Sequence, residues 1–305
     1  MANNTGSTLR QASTVILVRE RKEKPEVYLL RRSTSSGFMG GLYVFPGGVV
    51  DPEDKGFNVW GPFLGLGQDE IGKKLGGNAF SGEDILAFSI AAIRETLEEA
   101  GVLIARTENK TKADFDYICK YRMNKGLDRS WFREKIMENK LILALSSLHR
   151  WSHWITPELM KKRFDTRFFI VFMPEGQSCV PDDKETKHGI WLTPKKTLEL
   201  NLELQVPLSP PTVVTLTELM QYNTLEDLGQ ALQKRTWGEP ISPRLVLSSQ
   251  GPVIIEPWDA KYNTDYKIDT KELKEKILPP GSPFSRIWCD NGVWKPIAAD
   301  DSEYQ

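Results

Sequence analysis

Three glutamates crowd the last turn of one predicted helix. Glu95, Glu98 and Glu99 are spaced i, i+3 and i+4, so a helix carries their carboxylates on one face. They stand toward its C-terminal end, where the macrodipole disfavours negative charge by roughly 0.3–1 kcal/mol per group. Arg94 can pair with Glu98, but only in the weaker cation-first order. Hard oxygen donors gathered in an unfavourable field suit a divalent cation. A solvated acidic helix end is the plain alternative on spacing alone.

The helix that positions them runs from Ser81 to Val102. Ser81 and Asp84 have the spacing of a capping box, and Ile85, Leu86, Ile93 and Leu97 form a buried stripe. Gly101 falls where a left-handed residue ends a helix. Upstream, STVILVRE (13–20), EVYLLR (26–31) and LYVF (42–45) read as strands. Pro46-Gly47-Gly48 then makes a tight turn. Its glycines are either plain turn chemistry or a means for a backbone carbonyl to reach an ion.

Residues 49–80 are dotted with glycines and keep no helical or strand period, so they read as a long surface insertion, functional or disordered. After the central helix, 112–124 and 128–140 read as helices, the second with Asp128 as N-cap. RFFIVFM within 161–174 reads as a buried strand, and IWLTP as another ending at Pro194. Helices are expected at 212–221 and 224–234. Asp290-Asn291-Gly292 between RIWC and VWKPI signals a hairpin. This irregular mixture predicts an α+β fold, an α/β/α sandwich rather than a doubly wound sheet. The expected division is a domain over 13–200 and an extension over 201–305, helices followed by a Pro-rich tail.

Composition excludes several classes. The 305 residues carry a net charge of −1 with no basic stripe, so nucleic acid is not the expected partner. No apolar run reaches the length of a membrane span. Three scattered cysteines and three histidines argue against a disulfide framework and a zinc site. The sequence leaves the oligomeric state open.

Arg94-Glu95-Thr96-Leu97-Glu98-Glu99-Ala100-Gly101-Val102, preceded by Phe45-Pro46-Gly47-Gly48, resembles the signature box of the Nudix hydrolases. In the family pattern the opening glycine lies about fourteen residues before the arginine, and an acid about eight before it. Here Gly48 and Arg94 are 46 apart, and Leu86 occupies the acid's place. The long insert, YLLRRSTSSGFMGGLYVFPGGVVD before it and KRFDTRFF after it resemble one branch, the coenzyme A and acyl-coenzyme A diphosphatases of nucleoside diphosphate-linked moiety X-type motif 19.

The resemblance implies a Nudix sandwich with a mixed sheet. It implies hydrolysis of a coenzyme A-type diphosphate to 3′,5′-ADP and (acyl-)4′-phosphopantetheine with Mg²⁺ or Mn²⁺. Glu95, Glu98, Glu99 and the Gly47 carbonyl are then the expected metal ligands. Arg94, Gly48 and Gly101 are expected to orient them. Glu98 and Glu185 are expected to act on the attacking water, with Asp182 and Asp183 as rivals. Arg31, Arg32 and Arg163 are the expected substrate contacts, alongside Lys162 and Arg167. Two other readings remain: another nucleoside diphosphate derivative as substrate (ADP-ribose, a dinucleotide, a capped nucleotide), or a binding protein without turnover. His149, His153, Trp151 and Trp154 are read as packed rather than catalytic. The C-terminal Glu303-Tyr304-Gln305 is no SKL-type address, so cytoplasm is expected ahead of the peroxisome of relatives.

Overall fold

Alternation along the first strand decides what covers each face of the sheet. Val15 and Leu17 point to one side and Ile16 and Val18 to the other, and all four are fully buried. The computed structural model describes residues 8–34, 39–77, 80–106, 112–182, 186–264 and 273–299. In chain order, β1 (Leu9–Arg21), β2 (Lys24–Arg32), β3 (Tyr43–Val44) and β4 (Gly47–Val49) precede two short helices, α1 (Phe57–Trp60) and α2 (Gln68–Ile71). The long helix α3 (Gly82–Ala100) follows. Then come β5 (Ala105–Arg106), α4 (Lys112–Tyr121), α5 (Trp131–Glu138), and β6 (Ile142–Leu143), which pairs with β5. Next in the chain are β7 (His149–Ile155), β8 (Arg163–Phe172) and β9 (Thr186–Leu192).

The main sheet is mixed. Its order is β3-β2-β1-β8-β7, with β4 also on β1 and β9 also on β2. β1 and β8 run parallel through the centre, from Leu9 opposite Arg163 to Val18 opposite Phe172. The side of Val15, Leu17, Tyr28, Leu30, Phe169 and Val171 packs on α3. The other side packs on α6 (Pro194–Leu202), α7 (Pro210–Leu219) and α8 (Leu225–Lys234). This is an α/β/α sandwich, as the sequence predicts.

Three expectations change. The 49–80 segment is built into the core: Trp60, Leu64, Ile71 and Leu75 are buried against α3. Its turns are too short to display a period, yet three of them deliver a large buried apolar side chain, Trp60, Ile71 and Leu75. α6 hides behind the strand signal of IWLTP; Thr193 caps it, its Oγ1 accepting from the Lys196 N–H at 3.3 Å, with Pro194 in its first turn. Ser130, not Asp128, is the N-cap residue of α5, and the Asp128 carboxylate accepts from the Ser130 N–H at 2.7 Å.

The 201–305 region adds β10 (Arg244–Val246), β11 (Val253–Ile255), β12 (Arg286–Asp290) and β13 (Val293–Ile297), an antiparallel sheet in that order. Asn291 and Gly292 have φ of 51° and 84°, the two positive values a tight I′ hairpin needs. Asn201 on α6 ties this sheet down by donating to the Trp294 carbonyl at 2.8 Å. Among the described residues no helix is long and apolar enough to cross a membrane.

Glu256, directly after β11, is fully buried and neither carboxylate oxygen has a hydrogen-bond partner among the described residues. Burial pushes its carboxyl up to about 8. The folded chain therefore holds a proton that the unfolded chain releases from about pH 4.5 upward. Its stability is full below that value and falls as pH rises toward 8, by an amount on the order of several kcal/mol. In thermal melts from pH 5 to 8, Glu256→Gln is expected to gain on the wild type as pH rises. Parallel melting curves would remove Glu256 from the pH response.

Candidate active site

Helix α3 is fixed at both ends before its acidic turn does anything. The Ser81 hydroxyl accepts from the Asp84 N–H at 3.2 Å, and Gly101 ends the helix at φ 68°. The Gly101 N–H donates to the Leu97 carbonyl at 2.9 Å. A Cβ on Gly101 would also come within 2.8 Å of the Arg122 guanidinium. That guanidinium donates to the Glu98 and Val180 carbonyls, placing a buried cation at the negative end of the helix. The cation that offsets the crowded glutamates' position thus comes from α4's C-terminal side.

Arg94 is 5% exposed and every donor of its guanidinium is engaged. Nε and Nη2 donate to the two oxygens of Asp54, each at 2.9 Å, and Nη2 also reaches the Val49 carbonyl at 2.9 Å. Nη1 donates to Glu95 at 2.8 Å and to Glu98 at 2.9 Å. Asp54 is the residue the spacing argument misses. The family pattern's two spacings put its acid about six residues after the opening glycine. The sixth residue after Gly48 is Asp54. Counting back from Arg94 lands instead on Leu86, which is fully buried apolar core. The inserted turns therefore lie between the acid and the arginine that it pairs with.

The glutamates are held one by one. Glu98 has both oxygens engaged, one by Arg94 and one by the Trp131 Nε1–H at 3.0 Å. Glu99 is 5% exposed and accepts from the Gly47 N–H at 2.9 Å. Glu95 Oε1 bonds Arg94, and among the described residues nothing donates to Oε2. A Cβ on Gly48 would come within 2.4 Å of the Glu95 carboxylate, and one on Gly47 within 2.3 Å of the Ser13 carbonyl. Both glycines are there because the backbone runs against these groups.

Burial pushes the Glu95 carboxyl up to about 7 and raises Glu98 and Asp54, even with Arg94 opposing. Three carboxylates, Asp54, Glu95 and Glu98, share one guanidinium and Glu99 stands beside them, so the cluster is short of positive charge. Among the described residues no three acidic, His or Cys side chains converge on one point as they stand, because Arg94 Nη1 sits between Glu95 and Glu98. The donor set still fits a divalent cation: its oxygens are hard, one is free, and the local charge is in deficit.

α5 and the turn that precedes it strap the region from outside. Arg129 approaches Asp51 at 3.5 Å, Trp131 holds Glu98, and Arg133 pairs with Glu53. The other predicted residues divide by strand phase. Arg31 lies in phase with Val27 and Leu29, away from α3, its Nε donating to the Gly41 carbonyl at 3.4 Å near the Tyr43 ring. Arg32 falls in phase with Tyr28 and Leu30, on the α3 side. Arg163 shares that side, with Nε on the Thr156 carbonyl at 3.1 Å. Arg167 is 2% exposed and stacked between Phe80 and Phe88. Asp182 accepts from the Thr186 N–H and hydroxyl, both at 2.9 Å. Asp183 and Glu185 lie outside the described residues.

Residues 9–219 match the family model described as the NUDT19 Nudix domain. A human protein named acyl-coenzyme A diphosphatase NUDT19 is 29% identical over 301 residues, covering 85% of this chain and 79% of that protein. Its Xenopus laevis namesake is 28% identical, covering 88% and 81%. A solved NUDIX hydrolase from Alicyclobacillus acidocaldarius superposes with a TM-score of 0.58 at 23% identity, over 76% of this chain and 99% of that one.

Removing Asp54 leaves Arg94 buried with part of its bonding lost. Asp54→Ala is expected to lower the unfolding free energy by about 3–5 kcal/mol, read in urea titrations. A loss under about 1 kcal/mol would mean that Glu95 and Glu98 alone hold the arginine.

Proposed function

The chain belongs to the NUDT19 Nudix domain family, and from that premise we propose that it cleaves the diphosphate of coenzyme A or acyl-coenzyme A. The products are 3′,5′-ADP and (acyl-)4′-phosphopantetheine. The observation that carries the reading is the family match over residues 9–219, which spans the acid, the arginine and all three glutamates. Nudix hydrolases act with divalent cations, and Mg²⁺ or Mn²⁺ suits carboxylate oxygens and a diphosphate.

Glu95 and Glu99 would hold the cation, with Glu98 beside them and the Gly47 carbonyl as a backbone ligand. The ion would supply charge against the diphosphate oxygens and acidify a water. The chain's own work is placement. Arg94 fixes Glu95 and Glu98 from one side, and Trp131 fixes Glu98 from the other. Gly48 gives Glu95 the room to lie against the turn. Neither oxygen of Glu98 is idle, which suits a positioned carboxylate. The proton of the attacking water then passes to a carboxylate before β9, where Glu185 lies in the sequence. Arg32 and Arg163, in phase with the glutamate side of the sheet, are the better placed of the expected arginines to meet substrate phosphates.

Purified protein with Mg²⁺ is expected to release 3′,5′-ADP from coenzyme A. Glu99→Gln should cut turnover about a hundredfold or more while circular dichroism stays unchanged. ADP-ribose and a dinucleotide assayed in parallel test the substrate. Faster cleavage of either would transfer the assignment to that compound, and full activity in the variant would remove Glu99 from the metal site.

A further inference from the structure

A cleft of about 530 Å³ opens beside the acidic cluster on the α3 side of the sheet, lined by Leu9, Gln11, Val49, Pro52, Arg129 and Asp165. Its inner wall is the Asp165 carboxylate. Oδ1 takes both protein bonds, from His153 Nε2 at 2.8 Å and from the Arg167 guanidinium. Oδ2 has no partner among the described residues, and the side chain remains 23% exposed. Behind it, Arg167 is stacked between two phenylalanine rings and His153 is 7% exposed, so the carboxylate cannot rotate without breaking both bonds. Burial pushes its carboxyl up, but the His153 and Arg167 bonds outweigh this and hold it below the ordinary aspartate range.

An anionic oxygen clamped from behind and open in front is a preorganised acceptor. Asp165 lies opposite Gln11 on one side of β1, while Gly48, against the Glu95 carboxylate, lies opposite Ser13 on the other. Two strand spacings and a two-residue offset along β1 separate them, roughly 12 Å. That is one chemical moiety away from a diphosphate held at the glutamates. A carboxylate repels phosphate, so the group that meets it is uncharged and donates a proton.

We propose that Asp165 Oδ2 binds a hydroxyl or amino group on the organic moiety next to the scissile diphosphate, with His153 and Arg167 as its positioning residues. The inference rests on the reading of the chain as a hydrolase of nucleoside diphosphate derivatives. The donor belongs to the nucleoside half or to the pantetheine half, and both products are available as probes.

Asp165→Asn tests it by inverting one atom. The amide oxygen is needed for His153 and Arg167, so the NH₂ group must face the cleft. KM for coenzyme A is expected to rise about tenfold to a hundredfold with kcat within about twofold. Inhibition by 3′,5′-ADP or by 4′-phosphopantetheine, whichever fills the cleft, should weaken in parallel. An unchanged KM overturns the proposal, and so does a lower one, which would mean an acceptor faces Oδ2. A fall in kcat at constant KM would also overturn it. If the wild type leaves coenzyme A intact, the substrate reading fails alone. The same comparison then runs on equilibrium binding of ADP-ribose and 3′,5′-ADP, where equal affinity of both proteins overturns the proposal. Should the variant not fold, the His153 imidazole resonance of the wild type is followed during saturation with each product. No movement with either one overturns it.

Discussion

One buried guanidinium organises this molecule. Arg94 offers five donors, and Asp54, Glu95, Glu98 and the Val49 carbonyl take all of them. Pulling a charge this far from water is costly unless every partner is in place. The arrangement therefore specifies a great deal: where the glycine turn lies against α3, how the inserted turns begin, and which way two glutamates face. The remaining glutamate is set by the same turn through the Gly47 N–H. Like-charged groups are held together here by a shared counter-ion and by the absence of side chains on the two glycines.

Much of this is legible in the sequence because it is local. The i, i+3, i+4 glutamates, the Ser81 cap and the Gly101 stop lie within about six turns of one helix, and period alone finds them. β1, β2 and β8 declare themselves by apolar runs. Asp54 does not, because its partner is 40 residues away and the acid was sought by counting back from Arg94. Counting forward from Gly48 finds it. Arg122 and Trp131 are equally silent: each reaches α3 from another helix, and no pattern in their own neighbourhood marks the contact.

Strand phase sorts what composition cannot. Arg31 and Arg32 are adjacent and chemically alike, yet a pleated strand sends them to opposite faces. Asp165 and Arg167 share a face and meet. His153 reads as a packed histidine, and packed it is, but it is packed onto a carboxylate that reaches open space. A residue can be structural in its own contacts and still decide what a neighbouring cleft accepts.

The Arg94–Asp54 pair also closes a loop. Chain entropy lost on closing a loop grows only with the logarithm of its length, about 0.6 kcal/mol for each doubling. Once both ends are pinned by the same ion pair, the stretch between them can lengthen or shorten at small cost without moving the acid or the arginine. The signature is thus an anchor with a variable-length bight between its fixed ends. The inserted turns could have been acquired, and could diverge, while the chemistry beside them stood still.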